Sequence, residues 1–110
     1  MKLAHETSQF AIHVSPGPTT TIALRGELDI ASVPTFEAAL EDVHFPSLRH
    51  AVLDLEQLVF IDVSGLRAVL KLHEACLKVS AGLTIRPGPR QVQRVFEITG
   101  TDQLLPFSRR

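Results

Sequence analysis

The feature of this sequence that most restricts its fold is an alternation of strand-like and helix-like segments between residues 19 and 99. Apolar runs at 19–25 and 51–55 are typical of strands, and each is followed by apolar residues at helical spacing. A short strand at 81–87 and a third helical segment come next. This order predicts an α/β domain with parallel neighbouring strands, because a helix returns the chain to the edge where the preceding strand began.

Residues with known capping preferences indicate the limits of the helices. Ser32 suits the N-cap of the first helix, and Pro34 suits its first turn, where a missing amide donor costs little. The second helix is predicted from Leu66 to about Val79, because its apolar residues share one face. Gly100 suits the end of the third helix. We therefore predict three helices, each with an apolar side turned towards the sheet.

The beginning of the chain predicts a hairpin. Residues 10–14 alternate apolar and smaller or polar side chains, and "SPGP" at 15–18 separates them from the strand at 19–25. With a last short strand at 104–107, the predicted fold class is α/β, a mixed β-sheet of four or five strands with helices packed against it. At 110 residues and 45% hydrophobic content, residues 1–110 are expected to form a single domain.

The charge balance and hydropathy exclude two classes of partner. Lys and Arg number 11 and Asp and Glu number 12, whereas nucleic-acid surfaces usually carry a basic excess. No apolar stretch approaches the roughly 18 to 20 residues that cross a bilayer. The N-terminal ten residues also lack the apolar region of a secretory signal. We expect a cytoplasmic protein without direct nucleic-acid binding or membrane insertion.

No cofactor or metal motif is found in the sequence. Cys76 is the single cysteine, so an intramolecular disulfide is impossible; a buried thiol is the simpler interpretation, with a dimer-forming or redox-sensing thiol as the alternative. His73 and Cys76 share a helix face, but Glu74 points about 100° away, so these residues do not predict a metal site. "RPGPR" at 86–90 lacks the spacing of a phosphate-binding loop.

The stretch "FIDVSGLRAVL" at 60–70 places Ser64 between a strand-like and a helix-like segment. One interpretation is structural: Ser64 lies at or beside the N-cap, and Gly65 lets another part of the chain approach the turn. A nucleophilic serine is not indicated, because the G-x-S-x-G pattern is absent and Asp62 stands two residues before Ser64.

A second interpretation of Ser64 is phosphorylation. The free amides and the dipole at a helix N-terminus favour negative charge, so a phosphate there need not unfold the domain. Adding about −1.5 to −2 charge beside Asp62 instead changes the surface that a partner meets. Such a site is suited to switching a binding event while the fold is preserved.

Three segments together resemble the STAS domain of bacterial anti-sigma-factor antagonists: "GELD" at 26–29, "LDLEQLVFIDVSGLRAVL" at 53–70 and "LTIRPGPRQVQRVFEITGTDQLLPF" at 83–107. The resemblance implies a binding module, not an enzyme. Its partner anti-sigma factor is a serine-protein kinase that phosphorylates the serine before the glycine, here Ser64. The unphosphorylated form binds that partner and releases a sigma factor; phosphorylation ends the binding, and a phosphatase restores it.

The resemblance also implies a partner-binding surface around Ser64, formed by Glu27, Asp29, Ile30, Asp62, Val63, Gly65 and Arg67. Glu27 and Asp29 match an acidic loop near the serine, although a solvated loop explains them equally well. The alternative for Arg67 is an exposed helix arginine. Val63 stands where many members carry a second serine or threonine, which leaves Ser64 as the acceptor in this element.

Two other functions are compatible with such a domain. Stand-alone STAS proteins also serve as cytoplasmic subunits of membrane lipid-transport ATPase complexes, in which the domain need not be phosphorylated. Other STAS domains sense a small ligand such as a nucleotide. Co-purification with an ATPase would indicate the first function, and saturable binding of a small molecule would indicate the second.

Overall fold

A computed structural model describes residues 3–109 of the chain. Five strands and three helices alternate along it, with short 3₁₀ helices at 45–47 and 101–103. In chain order the elements are β1 (Leu3–Glu6), β2 (Phe10–Ser15), β3 (Thr19–Leu28), α1 (Val33–Leu40), β4 (His50–Ile61), α2 (Val63–Lys78), β5 (Gly82–Arg86) and α3 (Arg90–Thr99).

The five strands form one mixed sheet in the order β1-β2-β3-β4-β5. β1 pairs antiparallel with β2, and β2 pairs antiparallel with β3, which confirms the predicted hairpin. β3, β4 and β5 run parallel, with α1 and α2 as the crossover helices. Parallel neighbours need such crossovers, so the strand–helix alternation of the sequence explains this half of the sheet.

The core lies between the sheet and the helices. Buried and partly exposed residues alternate along β2 and β3, as expected when helices cover one face of a sheet. α1 packs on β1 and β2, α2 packs on α1, β4 and β5, and α3 packs on β4. The fully buried side chains of this layer include Ile12, Ile22, Leu24, Phe36, Leu53, Leu55, Leu72, Ile85 and Phe96.

Several predicted boundaries differ from the structure. β3 and β4 end at Leu28 and Ile61, beyond the predicted 19–25 and 51–55, because the pairing between these two parallel strands continues to their shared edge. α2 begins at Val63, three residues before the predicted Leu66, because the preceding acid caps it. β1 was not predicted; its four residues pair with β2 along one edge. At 104–107 the structure has a single bridge between Phe107 and Ile85 instead of a strand, since Leu104 caps the 3₁₀ helix at 101–103 and the chain is still turning there.

Cys76 is fully buried on the inner side of α2, which confirms the interpretation as a buried thiol. Burial raises the pKa of this thiol because the low-polarity interior disfavours the thiolate. A protonated thiol without solvent access is a poor nucleophile. The redox-sensing alternative therefore has no support from the structure.

Candidate functional site

The candidate site lies where β3 and β4 end. These strands are parallel, and Leu28 at the end of β3 pairs with Ile61 at the end of β4. The turns that follow, residues 29–32 and Asp62, lead into α1 and α2 and meet at the same edge of the sheet. Because parallel strands end at the same edge of the sheet, the two turns lie side by side there.

The carboxylate of Asp62 joins the two turns. Its Oδ1 accepts a hydrogen bond from the Gly65 amide at 2.9 Å, which makes Asp62 the N-cap of α2. Its Oδ2 accepts a hydrogen bond from the Ile30 amide at 3.2 Å, across to the turn after β3. Asp62 therefore fixes the start of α2 and the position of the neighbouring turn with one side chain.

Ser64 is consequently the second residue of α2 and not its N-cap. We predicted that Ser64 lies at or beside the N-cap. In the structure the N-cap is Asp62, two residues earlier. Within residues 3–109, the Ser64 hydroxyl makes no hydrogen bond, and the residue is partly exposed. The structure thus gives Ser64 no capping role and leaves its hydroxyl accessible.

Gly65 explains how closely the two turns approach. A Cβ atom at this position would lie 2.4 Å from the backbone oxygen of Leu28 and 2.8 Å from the side chain of Ile61. Real Cβ atoms do not approach a backbone oxygen so closely, so no larger residue fits without a shift of α2. This agrees with the prediction that glycine permits a close approach at this turn.

The turn after β3 is held by its own side chains. Asp29 Oδ1 accepts hydrogen bonds from the amides of Ala31 and Ser32, both at 3.0 Å. The Ser32 hydroxyl donates to the Glu27 carbonyl at 2.7 Å and accepts from the Asp29 amide at 2.9 Å. Ser32 holds the predicted N-cap position of α1, but its side chain bonds the preceding turn and makes no cap bond to the helix.

The predicted partner-binding residues fall into two groups. Glu27 and Asp29 line a cavity of about 190 Å³ together with the loop of residues 7–9. Ile30, Ser64 and Arg67 line a second, separate cavity between α1 and α2. Ile30 and Arg67 therefore line the same cavity as Ser64, whereas Glu27 and Asp29 line a different one.

We name the second cavity the α1–α2 groove. It has a volume of about 230 Å³. Its lining consists of Ile30, Val33, Pro34, Glu37, Ser64, Arg67, Ala68 and Lys71. Lys71 Nζ lies 3.9 Å from Glu37 Oε2, a long and exposed ion pair that contributes little to stability. Two cations thus face one anion beside Ser64.

Large exposed apolar side chains occur in the turn after β3 and in the residues just before Ser64. Ile30 is 75% exposed, Val63 54% and Phe60 48%. Phe60 was not singled out from the sequence, because a phenylalanine near the end of a strand usually belongs to the core.

The last part of β4, which contains Phe60, does not follow the usual alternation of buried and exposed residues. The pairing of β3 with β4 is irregular between Ala23 and Arg25 and again after Gly26, and the alternation in β4 is lost beyond these irregularities.

The chain belongs to the STAS domain family: the family model of the STAS domain matches residues 9–110. A particular relative is the anti-sigma-B factor antagonist of Staphylococcus aureus strain NCTC 8325. It is 29% identical over 84 residues, which cover 76% of this chain and 78% of that protein. The predicted family is confirmed.

Solved structures have the same fold. An anti-sigma factor antagonist from Mycobacterium paratuberculosis superposes with a TM-score of 0.74 at 20% identity, over 100% of this chain and 86% of that chain. The anti-sigma factor antagonist SpoIIAA in its unphosphorylated form gives 0.69 at 21% identity, over 99% and 89%. The phosphorylated form of SpoIIAA from Bacillus gives 0.61 at 19% identity, over 99% and 92%. The predicted fold class is confirmed.

Between residues 3 and 109, no three His, Cys, Asp or Glu side chains lie close enough to hold a metal ion. Over the same range, no helix has the length and apolar composition of a membrane span.

Proposed function

We propose that this STAS domain is an anti-sigma-factor antagonist whose docking is controlled by phosphorylation of Ser64. The unphosphorylated domain binds an anti-sigma factor that is also a serine kinase, and a sigma factor is released. Phosphorylation ends the docking, and a phosphatase restores it. In this function the domain is a ligand and a substrate in the cytoplasm, and it contributes no catalytic group of its own.

The single observation that carries the proposal is the state of the Ser64 side chain. Its hydroxyl makes no hydrogen bond within the described residues, and it lies on the groove surface among exposed apolar side chains. A kinase needs such an accessible hydroxyl. Because Asp62 caps the helix, a phosphate on Ser64 does not remove a bond that holds α2 in place.

The chemistry of the step requires only a hydroxyl from this chain. Ser64 Oγ attacks the γ-phosphorus of ATP, and the bond between that phosphorus and the bridging oxygen breaks, so that ADP leaves with the electron pair. The hydroxyl proton passes to a base of the kinase. The product carries about −1.5 to −2 additional charge within two residues of Asp62.

The similarity to a named anti-sigma-B factor antagonist supports this function over the two alternatives. Docking at Ser64 is expected to use Ile30, Val63 and Arg67, whose side chains are exposed beside the serine. Asp62 and Gly65 are expected to act indirectly by holding the two turns together. Glu27 and Asp29 would meet a partner only if its contact extends to the loop of residues 7–9.

Intact-mass measurement tests the proposal. The protein is incubated with ATP, magnesium and each anti-sigma kinase of its host in turn, beside Ser64→Ala and the exposed-serine control Ser80→Ala. We expect one phosphate on the wild type and on Ser80→Ala, and none on Ser64→Ala. A stable complex with a transport ATPase, with no phosphate added by any kinase, would instead identify the transport-subunit function.

A further inference from the structure

The α1–α2 groove has a chemistry that restricts what docks there. Four of its lining residues are apolar, Ile30, Val33, Pro34 and Ala68, and Ser64 lines the groove with them. Arg67 and Lys71 also line it, and both are exposed. Apolar groups beside cations favour a ligand that combines an apolar side chain with a negative charge, by burial and charge complementarity.

The one acid of the groove does not neutralise it. Glu37 is 3.9 Å from Lys71 at its nearest oxygen, and both side chains are at least half exposed. A pair of this length in solvent is weak, so Lys71 is readily redirected to a better placed carboxylate. Within the described residues Arg67 forms no ion pair, which leaves a second cation for the ligand.

We infer that the α1–α2 groove receives a segment of the partner kinase in which an apolar side chain is followed by acidic residues. This inference rests on the proposed function for the identity of the partner. The apolar side chain packs between Val33 and Ala68, and the partner's carboxylates pair with Arg67 and Lys71. Acceptance of an acidic segment also explains the direction of the switch.

Phosphorylation reverses the charge of the groove. Among the charged side chains that line the groove, the two cations outnumber Glu37, and Glu74 lines a neighbouring cavity with the same two cations. A phosphate on Ser64 adds about −1.5 to −2 charge one helical turn from Arg67, close enough for an i, i+3 pair. The phosphate then forms an ion pair with Arg67 and repels the acidic segment of the partner. Loss of docking follows from electrostatics alone, without a change of fold.

Binding of the partner kinase to matched variants tests this inference. We expect Lys71→Ala to weaken binding about fivefold, the usual limit for one exposed charge pair. Lys71→Glu with Arg67→Glu is expected to weaken it by at least tenfold. Glu37→Gln is expected to tighten binding about twofold, because it removes the competing anion. Lys78→Glu and Arg94→Glu, exposed cations outside the groove, serve as controls and are expected to have no effect.

Weaker binding by Lys71→Ala together with tighter binding by Glu37→Gln would indicate recognition at the groove. Damage to the fold would weaken binding in both variants. Unchanged affinity in the groove variants, or tighter binding by Lys71→Glu, would overturn the inference even if Ser64 is phosphorylated. If no kinase phosphorylates Ser64, the proposed function fails, and a peptide experiment on the domain alone decides the inference.

The peptide experiment uses blocked Leu-Glu-Glu and Leu-Lys-Lys as probes, with amide resonances of Val33 and Ala68 as the readout. At equal millimolar concentration, the acidic peptide is expected to shift these resonances at least threefold more than the basic one. Ser64→Asp is expected to abolish the difference. Equal shifts from both peptides, or no shift at these residues, would overturn the inference.

Discussion

The two strand-to-helix turns of this domain each contain an acid and a serine, but the residues have opposite roles. After β3, the Asp29 carboxylate accepts a hydrogen bond from the Ala31 amide, and the Ser32 hydroxyl donates one to the Glu27 carbonyl. Ser32 is only 4% exposed. After β4, Asp62 alone makes the bonds, and the Ser64 hydroxyl makes none within the described residues. One serine holds its turn together, and the other is available to another molecule.

The difference comes from position relative to the helix start. Ser32 stands immediately before α1, where its hydroxyl turns back to the carbonyl of Glu27. Ser64 stands two residues inside α2, after Asp62 has already taken the cap. A serine in the first turn of a helix that is capped by another residue is therefore a better candidate for modification than one at the cap.

The largest effect is expected from Gly65→Ala, which forces the two turns apart. Overpacking against the Leu28 backbone costs about 1–3 kcal/mol, more than the roughly 1 kcal/mol that alanine gains over glycine within a helix. Because a backbone oxygen and two side-chain atoms lie within 2.9 Å of the added Cβ, we expect a cost near the upper end of that range, about 3 kcal/mol. The net loss of unfolding free energy is then about 2 kcal/mol, measured by urea denaturation. Gly82→Ala is the comparison, since its Cβ would meet a side chain, the His50 ring, and not the backbone. Equal stability of wild type and Gly65→Ala would contradict the close approach of the turns.

The next effect is expected from Ser32→Ala. The change removes the acceptor of the Asp29 amide and the donor to the Glu27 carbonyl, both in partly buried hydrogen bonds to a buried serine. Buried polar groups left without partners cost about 1–3 kcal/mol, and we expect a loss near the middle of that range in the same denaturation experiment. A loss below about 0.5 kcal/mol would place this serine in the same class as Ser64.

A smaller loss is expected from Asp62→Ala. Removing an N-cap side chain costs about 1 kcal/mol. Amide hydrogen exchange should increase at Gly65 and also at Ile30, because one carboxylate bonds both amides. Asp62→Asn is the control. Its one side-chain oxygen can keep one of the two hydrogen bonds, so amide exchange should increase at only one of the two residues, Gly65 or Ile30. Exchange that increases at Gly65 alone in Asp62→Ala would show that the two turns are not joined by this side chain.

The smallest effect on stability is expected from Ser64→Ala. A surface substitution that breaks no hydrogen bond changes stability by less than about 0.5 kcal/mol. Phosphorylation by the partner kinase should nevertheless be lost completely. The comparison between the turns therefore predicts that Ser32→Ala is unstable but phosphorylated, and Ser64→Ala is stable but not phosphorylated. A Ser64→Ala variant as unstable as Ser32→Ala would contradict the contrast.

Local pattern was sufficient for much of the fold. The hairpin, the three helices and the parallel half of the sheet were predicted from periodicity, turn residues and order along the chain. Errors occurred at boundaries set by contacts. The start of α2 depends on which residue caps it, and the four residues of β1 have too short a pattern to be distinguished from a loop. The candidate site was predicted at Ser64 and its neighbours in sequence, while Pro34, Glu37 and Lys71 were not associated with it.

The sequence by itself determined the order of elements, the family and the serine on which a function is proposed, because these depend on residues a few positions apart. Only the tertiary structure decided that Asp62 bonds the turn at Ile30 and that Ile30 and Glu37 line the same groove as Ser64. Those facts depend on residues more than twenty positions apart. The parallel pairing of β3 with β4 brings them together, and no local pattern specifies its register or its irregularities.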